Sequence, residues 1–136
     1  MIVPIYTGIF VDTEALWSIF PPKLSVRKGH AHVTLSYRGG VESAHEEWLG
    51  EKVLVRVVAY GNNGKNEGLK VELESSNSEL QKYLDTLGEH HITLSYARDS
   101  DPKFTANLDF EKLGEKIELV GVYGVFTSRG FIKAPY

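Results

Sequence analysis

Two copies of one short segment hold the residues best suited to chemistry. They are His32-Val33-Thr34-Leu35-Ser36-Tyr37 and His91-Ile92-Thr93-Leu94-Ser95-Tyr96, identical but for Val33 against Ile92 and starting 59 residues apart. Each alternates polar and apolar residues with the period of a half-buried β-strand, so His, Thr and Ser share one face while Val or Ile, Leu and Tyr share the other. Packing explains the apolar set but gives no reason for a His and a Thr to recur on the polar face. Imidazole titrates near pH 6.5 when unperturbed, so one of two facing histidines can take a proton while the other gives one. That pairing suits in-line displacement at phosphorus. One His removes a proton from the attacking water or hydroxyl and the other protonates the departing oxygen, each transfer contributing about 10² to 10⁴ in rate. Thr34 and Thr93, one pleat from each His, are placed to donate to non-bridging phosphate oxygens as charge redistributes there. The scheme needs no metal.

The elements that must position these residues also repeat. The first half reads as a strand near Ile2–Val11, a helical stretch near Asp12–Phe20, a Pro-Pro and basic loop from Pro21 to Gly29, the motif strand, and a β-branched run Lys52–Tyr60. Gly61-Asn62-Asn63-Gly64 signals a turn. The second half repeats the order with a strand at Gly68–Glu74, cap chemistry in Ser75–Glu79, and a helix whose Leu80, Tyr83, Leu84 and Leu87 share one face before Gly88 ends it. The second motif strand follows, then a polar loop Asp99–Asn107 and a long strand Ile117–Phe126. The offsets are about 62 residues for the first strands and about 64 for the last, within the precision of such boundaries. Ser128-Arg129-Gly130 and Phe131-Ile132-Lys133 read as a turn and a closing strand. The expected fold is α+β: duplicated β-α-β-β lobes with pseudo-twofold symmetry, whose two antiparallel sheets flank a central cleft with helices outside. One domain spans 1–136, with lobe 1 about 1–62 and lobe 2 about 63–136.

Composition narrows the class. A chain of 136 residues, 42% hydrophobic and 24% charged, is long enough to bury a core. It has no apolar run near the roughly 20 residues of a membrane helix, and its N-terminus lacks the basic and small-residue features of a signal peptide. The absence of cysteine excludes disulfides, zinc–thiolate sites and cysteine nucleophiles. A net charge of −3 argues against tight, sequence-independent binding to long nucleic acid, which needs many phosphate contacts, and leaves a short substrate or strand end open. The expectation is a cytoplasmic monomer that engages no membrane.

Paired His-x-Thr-x tetrads in a duplicated chain resemble the two-histidine (2H) phosphoesterase superfamily, which includes 2′,3′-cyclic phosphodiesterases and the cyclic phosphodiesterase domains of fungal and plant tRNA ligases. The matching tetrads are His32-Val33-Thr34-Leu35 and His91-Ile92-Thr93-Leu94. The resemblance implies that both His and both Thr side chains meet around one phosphate. It also implies metal-independent opening of a 2′,3′-cyclic phosphate, commonly to a 2′-phosphate, with the first His as acid and the second as base. The chain is shorter than the larger members, with little material for substrate-gripping loops.

Other residues carry weaker signals. Ser36 and Ser95 sit one pleat further along the polar face and read as structural; Tyr37 and Tyr96 read as core. His30-Ala31-His32 and His90-His91 suggest metal ligation, but adjacent His90 and His91 point to opposite strand faces. Lys23, Arg27 and Lys28 precede the first motif and would form a positive rim for an anionic substrate; Arg98 and Lys103 are their counterparts after the second, and Arg129 lies in a turn within reach of the cleft. Phe104, Phe131 and Tyr123 are candidates for stacking on a base. Asp12 and Glu14 read as helix-start charges, and Glu42–Glu51 around Trp48 as a surface segment.

The sequence thus predicts a phosphodiesterase that hydrolyses the 2′,3′-cyclic phosphate of a nucleotide or RNA end, in RNA processing or repair. His32 and His91 would be catalytic, Thr34, Thr93, Lys28, Arg27 and Arg129 would bind substrate, and no cofactor would be needed. The alternatives are a non-catalytic nucleotide- or RNA-end-binding module, a 2′-5′ oligonucleotide phosphodiesterase, and a metal-dependent hydrolase.

Overall fold

The computed structural model describes residues 4–27, 30–37, 46–127 and 130–132. Strands dominate: β1 (Pro4–Phe10), β2 (Val26–Arg27), β3 (His32–Tyr37), β4 (Lys52–Asn62), β5 (Asn66–Glu74), β6 (His90–Tyr96), β7 (Glu111–Thr127) and β8 (Gly130–Ile132). Two helices interrupt them, α1 (Thr13–Ile19) and α2 (Ser78–Thr86), with 3-10 turns at Glu46–Trp48 and Pro102–Asn107.

Local chemistry accounts for the elements. The Asp12 carboxylate accepts from Ala15 N at 3.2 Å and caps α1, while Asn77 caps α2 by accepting from the N–H groups of Glu79 and Leu80. Leu80 and Leu84 are buried, each burial contributing about 1.5–3 kcal/mol, and Gly88 at φ +79° ends the segment. Leu87, expected on the same apolar face, is instead exposed. In β4 alternate residues Val53, Val55 and Val57 point inward, as the β-branched run demands.

The strands pair antiparallel in the order β1-β3-β6-β5-β4-β7, and β7 returns to β1 through Thr7–Val125, Gly8–Gly124 and Ile9–Tyr123. Six strands therefore close into a barrel; β2 adds to the rim of β6 and β8 to β7. This corrects the expectation of an α+β fold with two antiparallel sheets flanking a cleft. Both halves present one apolar face, and closing around a shared interior buries both faces while leaving no free edge along the seam. Ile9, Val33, Val55, Leu69, Ile92 and Tyr123 fill that interior, and Leu16 of α1, Leu80 and Leu84 of α2 and Trp48 join the same core. Trp48 packs on Tyr83 and edge-on against Tyr123, so this part of the acidic run is core rather than surface.

The candidate site on the barrel wall

The two motif strands are neighbours. β3 and β6 meet at one pair, Val33 against Ile92, both pointing into the core. Val33–Ile92 is the one pair these strands form, and an antiparallel register carried one residue to either side would bring His32 toward Thr93 and Thr34 toward His91 on the face away from the core. In that register the two histidines would lie on a diagonal, with Cβ atoms about 7–8 Å apart by the usual geometry of such pairs. The flanking strands extend both rows: Phe10 of β1 pairs with His32 and Gly8 with Thr34, while Lys70 of β5 pairs with His91 and Gly68 with Thr93. In that register the rows would read Phe10–His32–Thr93–Gly68 and Gly8–Thr34–His91–Lys70.

Each glycine is required by a close approach. A Cβ at Gly8 would sit 2.7 Å from Val33 O, and one at Gly68 would sit 2.8 Å from Ile92 O and overlap Thr105 Cγ2. Both motif strands also bulge just after the threonine. Thr7–Ser36 is followed by Gly8–Thr34, and Glu67–Ser95 by Gly68–Thr93, leaving Leu35 and Leu94 as extra residues. The bulge corrects the expected alternation, because Ser36 and Ser95 do not continue the His-Thr face. Ser36 Oγ bonds Thr7 Oγ1 at 2.6 Å, and fully buried Ser95 donates to Glu67 Oε1 at 2.6 Å.

The Glu67 carboxylate accepts in addition from Lys23 N at 2.9 Å and from the Tyr60 hydroxyl in a short bond. Burial, with Glu67 adding to it, pushes the Tyr60 phenol up to about 12, so it keeps its proton and remains a donor. With Leu24 N donating to Ser95 Oγ at 3.1 Å, this network ties the loop before β2 to the barrel.

The quartet is unevenly exposed. His32 retains 9% of its surface, Thr34 is exposed, and His91 and Thr93 are half-buried. His32 stacks on Tyr6 at 4.7 Å and on His30 at 4.8 Å, with Phe10 tilted at 5.6 Å. Tyr6 Oη and His30 Nε2 share a 2.5 Å hydrogen bond that fixes this wall. His91 lies in a polar neighbourhood, where burial first and then the charge of His90 lower its pKa below the ordinary imidazole value. His90 bonds the Leu84 carbonyl through Nε2 at 3.2 Å, and its pKa is likewise lowered, mainly by burial. Among the described residues no three of His, Asp and Glu gather as around a metal ion. Thr93 donates to Thr105 Oγ1 at 2.9 Å, which brings the 3-10 turn Pro102–Asn107 against the site.

Of the expected rim, Lys23, Arg27, Arg98 and Lys103 lie among the described residues. Arg27 pairs in the backbone with Ser95, two residues beyond Thr93, and its guanidinium lies over the Trp17 ring at 5.8 Å. Lys23 lies over Tyr60 at 5.6 Å. Arg98 is exposed, and Lys103 sits 5.3 Å from the ring of exposed Phe104 beside the Thr93–Thr105 contact. Tyr123, a stacking candidate, is fully buried in the core and faces no substrate; Tyr96 is half-buried. Lys28 and Arg129 lie outside the described residues, as do the side chains of Tyr37 and Phe131. Sequence reasoning missed Lys70, Thr105 and the paired glycines. The glycines left a signal, since Gly8-Ile9 and Gly68-Leu69 sit 60 residues apart inside strands, where glycine marks a bulge or a close backbone approach.

Among the described residues no helix is long and apolar enough to cross a membrane. Compared with protein-family models and with curated proteins, the chain matches none.

Proposed function

We propose that the outward-facing quartet hydrolyses a 2′,3′-cyclic phosphate on a nucleotide or RNA end. The observation that carries this reading is the Val33–Ile92 pair, which brings the two His-x-Thr segments side by side with both imidazoles and both hydroxyls on the face away from the core. A phosphate seated over that pair has an acid–base group on opposite sides, as in-line displacement requires. His91, with its lowered pKa, is neutral near pH 7 and suits the base that takes a proton from water. Water oxygen bonds to phosphorus, the P–O3′ bond breaks, and His32 as imidazolium gives its proton to O3′, leaving a 2′-phosphate. Protons then re-equilibrate with solvent. Exposed Thr34 is free to donate to a non-bridging oxygen, whereas Thr93 must first turn from Thr105. The resemblance of the two tetrads to 2H phosphoesterases points to the same substrate class.

Phosphorus NMR of a nucleoside 2′,3′-cyclic phosphate, incubated with the protein in EDTA, tests the reading. The cyclic signal should give way to a 2′-monophosphate signal, and His32→Ala or His91→Ala should each slow this by about 10² to 10⁴. Turnover that survives both substitutions, or none with either this substrate or an oligonucleotide ending in a cyclic phosphate, would overturn it. Line broadening without turnover would identify a binding module instead.

A further inference from the structure

Beyond the quartet, one cation stands in its row. Lys70 pairs directly with His91 across β5 and β6, on the side away from Thr34. Side chains so paired have Cβ atoms about 4.5–5.5 Å apart, within the span of a lysine side chain. The equivalent position beside His32 holds Phe10, so the two ends of the quartet differ in charge although their backbones match. In the resting protein the Lys70 ammonium is held by Glu89 at 3.0 Å, in a pair whose Lys70 side chain is 38% and Glu89 side chain 81% exposed. Such exposed pairs are weak and readily surrendered to a better anion. Arg27 is engaged over Trp17 and Arg56 between Glu72 and Glu118, and Lys103 lies on the turn that carries Thr105, so among the described residues Lys70 is the cation paired directly with a member of the quartet.

We infer that Lys70 is a substrate-binding residue that leaves Glu89 to hold a non-bridging phosphate oxygen, drawing the phosphate toward the Thr34–His91 row. This deepens the function proposed above and rests on it for the identity of the substrate, though not for the binding of phosphate itself. An ammonium is a compact point charge on a flexible stem, suited to following an oxygen whose charge changes during reaction. Glu89 would act as a competitor that holds the cation in place while the site is empty. The carboxylates of Glu72 and Glu74 further along β5 disfavour a second phosphate on that side, so a longer strand would leave across the His32 end.

Two readouts test this. Inorganic phosphate is titrated into ¹⁵N-labelled protein while the amides of Thr34 and His91 are followed, and steady-state kinetics are run with a 2′,3′-cyclic nucleotide. Lys70→Met should weaken phosphate binding and raise KM by roughly tenfold, with a smaller change in kcat; Lys70→Arg should restore most of the loss. Glu89→Gln should act in the opposite direction, tightening phosphate binding about two- to threefold. Phosphate binding that is absent in the unmodified protein, or unchanged in Lys70→Met, overturns the inference even where turnover proceeds. Phosphate binding that depends on Lys70 without turnover upholds it and removes hydrolysis instead.

Discussion

His32 and His91 occupy matching places in nearly identical strands, each next to the Val33–Ile92 pair and each two residues before a threonine. Yet His32 is packed against Tyr6, Phe10 and His30, while His91 stands beside Lys70 and His90. The backbone frame is common to both, down to the bulge at Leu35 and Leu94 and the glycine beside each threonine. The difference comes from the neighbouring strand, where one position is Phe10 in β1 and Lys70 in β5. A repeated frame fixes where the two imidazoles sit, and the flanking strand sets what each one experiences.

That contrast can be broken most forcefully at the flanking position. Phe10 is fully buried, so Phe10→Ala should cost about 3–5 kcal/mol, whereas Lys70→Ala should stay within about 0.5 kcal/mol. Urea denaturation of both variants checks the pair, and equal losses would dissolve the distinction between an aromatic end and a cationic end.

The shared frame itself is tested at the glycines. Gly8→Ala and Gly68→Ala should each destabilise by about 1–3 kcal/mol through backbone overlap, with Gly68→Ala the worse because Thr105 also stands in the way. Loss of the Thr93–Thr105 contact in Gly68→Ala, read from the amide signals of the 3-10 turn, would separate the two effects.

The smallest effect is acid sensitivity on the second strand. His90 and His91 both have lowered pKa values in the folded chain, so the unfolded chain binds more protons as pH drops. Their contribution to stability is complete above the unfolded value of about 6.5 and is lost as pH falls through it toward the lower folded values. Urea midpoints measured from about pH 8 to about pH 5 should fall, and His90→Asn with His91→Asn should flatten that part of the slope.

The hexapeptides reveal their own alternation as far as the threonine: Val33 and Ile92 are in the core, and the side chains flanking them point away from it, Thr34 exposed, His91 and Thr93 half-buried and His32 buried under aromatic rings. They do not reveal the bulge, because Leu35 and Leu94 are apolar whether the strand stays regular or not, and only the partner strand shows that a residue is unpaired. Barrel closure was equally hidden. Alternation in β1 and β7 says that each has an inner face, but joining Pro4 to Thr127 depends on contacts across nearly the whole chain. Thr105, in a stretch that reads as polar loop, gains its meaning only when it meets Thr93. Lys70 looks like any solvent-facing strand lysine until the register sets it beside His91.

The seam between β1 and β7 also governs how the chain reaches its native state. Bringing Thr7 to Val125 closes a loop of almost the full sequence, and contacts of that separation place folding in the slow, millisecond-to-second regime of non-local β topologies. Local hairpins such as β4–β5 can form early, while the wall that carries His32 is completed only when the two distant strands meet. Until then both bear unpaired hydrogen-bonding edges, the form in which a second copy of the chain could insert its own strand and yield an exchanged dimer.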